Sequence, residues 1–285
     1  MAERTRCWIG AVALAFCAQL SPAFAAEAPR VVALGGDITE TVYALEAQGA
    51  LVGVDSTSQW PAAAHELPDV GYVRQLAAEG VLALRPTLIL ATHDAGPPPV
   101  IAQLRDAGVR IELMPTTRTP EGVAAKVRAV GHALGRDAAA ASLAARLASA
   151  YAALAQAVAA MPRHPRVLFL MATEGSPKAA GRETAAASAI ALAGGTHAGD
   201  GFTGYKAVSP EALAALAPDV ILLMREREEA VGGVEGVLRL PGVALTPAGR
   251  QRRIEFVDGQ ALLGFGPRNA EHEQRLQRLL ADLRP

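Results

Sequence analysis

A short helix stopped by a proline and followed by an apolar strand occurs twice in this chain. Residues 79–90 read Glu-Gly-Val-Leu-Ala-Leu-Arg-Pro-Thr-Leu-Ile-Leu, and residues 211–222 read Glu-Ala-Leu-Ala-Ala-Leu-Ala-Pro-Asp-Val-Ile-Leu. Glu79 aligns with Glu211, Leu84 with Leu216, Pro86 with Pro218 and Ile89 with Ile221. Upstream, Gly71-Tyr72 is answered by Gly204-Tyr205, one residue out of step. Proline cannot continue a helix and drives its predecessor toward extended geometry, so each copy is a helix-then-strand unit. Repetition of such a unit points to two related lobes.

The strand-helix alternation extends around both copies. Strands are expected at Arg30 to Leu34, Leu51 to Val54, Thr87 to Ala91 and Val109 to Leu113, with helices at Ile38 to Glu46 and from Pro97 to Asp106. Asp37 or Thr39 is the expected cap of the helix after Gly35-Gly36. Asp137 to about Ala160 is alanine-rich without Gly or Pro and reads as one long helix, ending before Pro162 and Pro165. The alternation then restarts with strands at Val167 to Met171, Val220 to Met224 and Ile254 to Val257, and helices at Thr184 to Leu192 and Ala270 to Leu283. The expected fold class is α/β: two Rossmann-like lobes with parallel sheets, joined by one backbone helix. The divisions are 1–25 (signal peptide), 28–135 (first lobe), 136–162 (linking helix) and 165–285 (second lobe).

The first residues look like an export signal. Arg4 and Arg6 precede an apolar run from Ile9 to Leu20, too short to span a bilayer, and Ala23-Phe24-Ala25 supplies the small-x-small cleavage pattern. Cleavage is expected after about Ala25, which places the product in the periplasm. Phe16 beside Cys17 is too bulky for a lipoprotein site. Both cysteines, Cys7 and Cys17, fall in the removed part, so thiolate chemistry is excluded afterwards. About 260 residues remain, enough for two lobes of ordinary size. No later segment is expected to be a membrane helix. The formal net charge is −1, without a basic run, which argues against nucleic acid.

In open parallel sheets ligands collect at the carboxyl ends of strands. Here those ends carry Gly35-Gly36, Thr92-His93-Asp94, Ala172-Thr173-Glu174 and Arg225-Glu226-Arg227. A ligand between two lobes would meet them together with the loops of Tyr72 and Tyr205. Gly35-Gly36 lacks the full Gly-x-Gly-x-x-Gly spacing of a nucleotide site. There is no Gly-x-Ser-x-Gly elbow and no His-Glu-x-x-His, so no enzyme is expected. The six histidines lack paired metal-ligand spacing.

Four stretches carry a family likeness: Val31 to Gly36; Val70 to Arg74 with Glu79 to Leu90; Ala180 to Thr184 through Gly195; and Leu262-Leu263-Gly264-Phe265-Gly266-Pro267-Arg268. On them the chain resembles the periplasmic haem-binding subunits of bacterial ABC haem-uptake transporters, within the helical-backbone class of binding proteins. The resemblance implies ferric haem held between the lobes, with Tyr72 as axial ligand, and delivery to an inner-membrane ABC permease by a monomer. It implies an arginine of the second lobe beside that tyrosine. The family typically has one arginine in that turn, where this chain has both Arg225 and Arg227. Arg74 and Arg182 are candidate propionate partners. Gly71 shapes the ligand loop, and Tyr205 is its counterpart on the other lobe. Glu79 and Glu211 match positions that dock on the permease, one carboxylate from each lobe of a pseudo-two-fold molecule. His93 and His197 are alternative loop residues near the cleft. The alternative ligands are cobalamin and a ferric siderophore, whose carriers share the fold class.

Overall fold

A computed structural model describes residues 29–171 and 177–283. The signal segment and Ala172-Thr173-Glu174 lie outside the described residues.

The first lobe runs β1 (Val31–Leu34), α1 (Gly36–Ala44), β2 (Leu51–Val54), α2 (Ala78–Ala83), β3 (Leu88–Thr92), α3 (Pro98–Asp106), β4 (Arg110–Met114) and α4 (Pro120–Ala133). Its sheet has the order β2-β1-β3-β4, and every neighbouring pair is parallel. After α5 (Asp137–Ala159) come β5 (Arg166–Met171), β6 (Lys178–Ala180), α6 (Ala185–Leu192), β7 (Thr196–His197), β8 (Tyr205–Ala207), α7 (Pro210–Leu216) and β9 (Val220–Met224). The chain ends with α8 (Glu228–Val231), α9 (Gly233–Leu238), α10 (Pro247–Arg250), β10 (Ile254–Val257), α11 (Gly259–Gly264) and α12 (Asn269–Asp282). The second sheet has the order β10-β9-β5-β6-β8, with β7 also pairing β5. Its β10, β9, β5 and β7 are parallel, and it adds antiparallel β6 and β8 at one edge.

The two copies of the repeat become α2-β3 and α7-β9. In each, the strand is apolar and buried, because helices cover both faces of a parallel sheet. One face of the first sheet packs under Val73, Leu76 and Val81, and one face of the second under Leu213 and Val237. The other faces share a core, in which Leu143, Leu147, Tyr151 and Leu154 of α5 bridge Val31 and Leu90 of one lobe to Phe169 and Leu222 of the other. Each fully buried side chain of this size contributes about 1.5–3 kcal/mol, so the lobes are fused through α5 and not merely tethered.

Two expectations are corrected. By length and hydropathy, α5 does qualify as a membrane-crossing helix. The alanine content raises its mean hydropathy, while one face of it lies in the shared core. Asp37 and Thr39 do not cap α1. The helix starts two residues earlier, at Gly36, with Gly35 as its cap and no side-chain bond there.

Candidate functional site

Where the strands end, the two lobes face each other across a mouth. Its first side is built from the end of β2. Buried Asp55 accepts hydrogen bonds from the Gly35 amide (2.9 Å), the Thr57 amide (3.1 Å), the Thr57 hydroxyl (2.8 Å) and the Ser58 hydroxyl (3.0 Å). These bonds fix the 55–58 turn, and the Ser56 amide in turn donates to the Gly71 carbonyl at 3.0 Å. Gly71 has φ +91°, a left-handed conformation that glycine adopts without strain. Its amide is held by Asp69 Oδ1 at 2.8 Å. The Gln75 amide donates to the Tyr72 carbonyl at 2.7 Å, closing a turn, while Val73 and Leu76 insert into the lobe core. The Tyr72 backbone is therefore pinned on both sides, while its side chain stays open, at 37 % exposure.

Arg74 lies over the Tyr72 ring, 5.5 Å from its centroid, and its Nη1 donates to the Tyr72 hydroxyl. Its Nε donates to Asp94 Oδ2 at 2.7 Å, at the end of β3. Burial works against the Arg74 charge, but Asp94 and the Tyr72 hydroxyl hold its pKa above the usual value. Burial likewise works against the Asp94 carboxylate, while the Thr92 hydroxyl and Arg74 keep its pKa below the usual value.

The second side carries Tyr205, also 37 % exposed. It does not sit in a loop: it opens the edge strand β8, paired with Ala180 of β6. Gly204 before it repeats the positive φ of Gly71, at +75°. Burial pushes the Tyr205 hydroxyl up, opposed by hydrogen bonding to the Ala186 backbone, the charge of Arg118, the Thr184 hydroxyl and the charge of Arg74. Arg74 and Arg118 belong to the first lobe, so the two tyrosines share one electrostatic environment across the mouth. Arg118 also crosses the gap directly, Nη1 donating to the Glu183 carbonyl at 3.4 Å.

The arginine on Tyr72 is thus Arg74 of the same turn, not Arg225 or Arg227. Arg225 is drawn back to its own lobe, with Nη2 on the Phe256 carbonyl at 2.5 Å and Glu228 at 4.0 Å, and Arg227 is exposed in the turn after β9. Arg182 braces its own hairpin through the Asp200 carbonyl and Thr203 Oγ1. His93 is exposed, whereas His197 is partly buried and burial lowers its pKa. Glu79 and Glu211 occupy the first turns of α2 and α7 and are exposed. Hydrogen bonding at its own backbone amide and to Ser209 holds the Glu211 carboxyl below its usual pKa. Asp94 was legible as a strand-end residue. Thr184 was legible only as the start of α6, which it caps, and Arg118 carries no sequence pattern that would have flagged it.

The tail motif 262–268 and Gly35-Gly36 serve a second region, the joint between the lobes. Lys126 of α4 pairs with Asp37 and donates to the carbonyls of Gly264 (3.1 Å) and Phe265 (3.3 Å). Buried Glu40 accepts from the Arg268 amide (2.5 Å) and Nε (3.0 Å), and Arg268 Nη1 reaches Asp258 at 2.6 Å. A Cβ on Gly36 would lie 2.3 Å from the Thr57 carbonyl oxygen and 2.9 Å from Gln260 Cδ. Glycine is needed there for close approach of the 55–58 turn of the same lobe, with the Gln260 side chain of the second lobe beyond it.

Residues 31–261 match the family model described as periplasmic binding protein. The solved periplasmic haem-binding protein RhuT from Roseiflexus sp. RS-1 is 41 % identical, with a TM-score of 0.85 over 90 % of this chain and 98 % of that one. A periplasmic haem-binding protein from Pseudomonas aeruginosa is 36 % identical, with a TM-score of 0.83 over 90 % and 94 %. The vitamin B12-binding protein of Vibrio cholerae serotype O1 is 33 % identical over 105 residues, which is 37 % of this chain and 38 % of that protein. The family model spans both lobes and the helix between them, and the chain belongs to the periplasmic binding protein family.

Proposed function

We propose that this chain is a carrier, not a catalyst, that takes ferric haem into the mouth and hands it to an ABC permease. The observation that carries this reading is Tyr72: a tyrosine on a rigid turn, open to the gap, with a guanidinium on its hydroxyl. A phenolate oxygen is a hard donor that suits Fe(III). Tyr205 offers a second aromatic surface from the opposite lobe, as a flat ligand requires. Among the described residues no group of three or more His, Cys, Asp or Glu is gathered as a bare metal ion needs. The full-length likeness to haem carriers supports the same ligand.

In this reading Tyr72 is the axial ligand, and Gly71 sets its loop. Arg74 orients the Tyr72 side chain, lying over its ring and donating to its hydroxyl. Arg182, Arg225 and Arg227 are further cations for the propionates, and each must leave its present surroundings to serve. Glu79 and Glu211 dock on the permease, setting orientation and on-rate more than affinity. Export with cleavage after about Ala25 and action as a monomer complete the proposal.

Titration of the purified chain with haemin tests it: one haem per chain is expected, with a tyrosinate-type high-spin ferric spectrum that Tyr72→Ala abolishes. An unchanged spectrum in that variant overturns the ligand assignment. The partial match to a vitamin B12-binding protein favours one rival, a corrinoid. Saturable binding of cyanocobalamin but not of haemin would establish it. For docking, Glu79→Ala with Glu211→Ala is expected to impair transport through the permease and to leave haem affinity intact.

A further inference from the structure

One run of backbone that connects the joint and the mouth is residues 55–60. At one end of the run the Ser56 amide holds the Gly71 carbonyl, next to Tyr72. At the other end the run is gripped from the second lobe by Gln260, at the start of α11. Gln260 Oε1 accepts from the amides of Gln59 (2.7 Å) and Trp60 (2.9 Å). Its Nε2 donates to the Gly36 carbonyl (2.9 Å), with Glu40 Oε2 and the Trp60 carbonyl both at 3.3 Å. One primary amide thus ties the entry of α1 and the 55–60 run to the second lobe. The grip is flanked by the Glu40–Arg268 pair and by the Trp60 ring, which lies 4.6 Å under the Arg268 guanidinium.

The amide is suited to this place. It needs an acceptor for two backbone N–H groups and a donor for a carbonyl at once, and among side chains only Asn and Gln offer both from one planar group. Asparagine is one methylene shorter. Apart from the Arg268 guanidinium over the Trp60 ring, the other contacts described along the run are internal to the first lobe: Gly36 N–H on Thr57 Oγ1 at 2.9 Å, and the bonds to Asp55 described above. Through Gln260 the second lobe therefore holds the segment from which the Tyr72 loop hangs.

We infer that Gln260 is a positioning residue for Tyr72: by clamping residues 59–60 from the second lobe, it fixes where the tyrosine sits in the gap and so sets affinity for the ligand. This rests on the haem reading of the mouth. Loss of a partner that orients a metal ligand typically costs 10–100-fold in affinity, and the two intervening links place this one at about 10-fold. The tyrosine itself is untouched, so its spectrum persists.

The test uses Gln260→Ala and Gln260→Glu in the full chain. The second variant keeps the acceptor for Gln59 and Trp60 and loses the donor. Hydrogen exchange of the ligand-free proteins is followed in peptides covering residues 55–75, and haemin affinity is measured beside it. Faster exchange in 55–75, with about 10-fold weaker haemin binding and a retained tyrosinate spectrum, is expected for Gln260→Ala. Gln260→Glu is expected to fall between it and the unaltered chain. Weakened binding with unchanged exchange overturns the positioning role, as does faster exchange with unchanged affinity. Should the unaltered chain bind no haemin, the haem reading fails, and the exchange arm still decides whether Gln260 clamps the run.

Discussion

The mouth and the joint lie between the same two lobes and follow opposite electrostatic rules. At the mouth the ion pair is half open: the Arg74 and Asp94 side chains are 54 % and 48 % exposed. At the joint Lys126 and Asp37 are 4 % and 6 % exposed, and Glu40 is 4 %. A buried pair gains little over an apolar contact, because desolvation offsets its attraction, but breaking it leaves a lone charge in the interior. Glu40 with Arg268, and Lys126 with the Gly264 and Phe265 carbonyls, are buried contacts that cross between the lobes, so the joint penalises other lobe arrangements, while the mouth leaves its polar groups available to a ligand. Apart from the Gln260 link, stability and ligand binding should be separable by mutation.

The largest expected effect tests that separation at the joint. Lys126→Met strands Asp37 without its cation and should cost about 3–5 kcal/mol in denaturant unfolding. The double variant Lys126→Met with Asp37→Leu should recover the part due to the lone carboxylate and not the part due to the Gly264 and Phe265 carbonyls, which still lack the Lys126 donor. A single-variant cost below about 1 kcal/mol would mean that this buried pair, internal to the first lobe, does not hold Lys126 in place against the Gly264 and Phe265 carbonyls of the second.

The mouth comes next, and it divides the two tyrosines. Tyr72→Phe deletes the proposed iron donor and should weaken haem by more than the roughly 10–100-fold that loss of a supporting partner costs. Tyr205→Phe keeps its ring and loses only a hydroxyl bonded near Thr184 and Ala186. It should cost less than about 10-fold, and equal losses would mean that both tyrosines reach the metal. Folding stability should move by no more than about 0.5 kcal/mol in Tyr72→Phe, since the side chain is exposed.

The two regions also differ in how far the sequence disclosed them. Tyr72, Glu79 and Glu211 stand out because a local repeat with Gly and Pro punctuation survives in one dimension. The joint is made by partners far apart in the chain, Lys126 with Asp37 and Arg268 with Glu40, and no periodicity joins such positions. In sequence, Gly35-Gly36 stands at a strand end as a ligand-side feature, the tail motif carries only the family likeness, and Asp37 reads as a cap. The strands β6 and β8 have three residues each, too few for alternation to show, so Tyr205 read as a loop residue. Arg74 was visible but was read as a propionate partner, because a neighbour two residues away gives no hint that it turns back onto Tyr72.

A third prediction concerns the buried side alone. Glu273 of α12 is fully buried and accepts from Asn269 Nδ2 at 3.1 Å, while Oε2 has no partner among the described residues. Asn269 is anchored in turn by the Tyr151 hydroxyl of α5 at 2.6 Å. Burial pushes the Glu273 carboxyl well above its usual range, against the hydrogen bond from Asn269. A raised folded-state pKa means that this contribution to stability is fully present below the unfolded value, near 4.3, and is lost as pH rises through the folded one. Glu273→Gln removes the titration. The variant should match the unaltered chain at acid pH and exceed it at alkaline pH, each tenfold difference in proton affinity being worth about 1.4 kcal/mol. Parallel pH profiles in the two proteins would assign the dependence to other groups.

The smallest effect returns to the mouth, and its sign is the informative part. Asp94 neutralises the guanidinium that rests on Tyr72. Asp94→Asn keeps an acceptor for Arg74 Nε and leaves the positive charge uncompensated beside the phenolate. If Asp94 acts mainly by its charge, haem binding strengthens, by about 3-fold, because a half-exposed pair is screened by water and is worth at most about 1 kcal/mol. Added salt should then erase the gain, since the interaction lies within reach of counterions. If Asp94 acts mainly by holding Arg74 over the ring, affinity falls instead and the loss persists at high salt. A haemin titration at low and high ionic strength separates these outcomes. The first keeps the mouth a region governed by screened, adjustable charge; the second would make it a small rigid joint of its own.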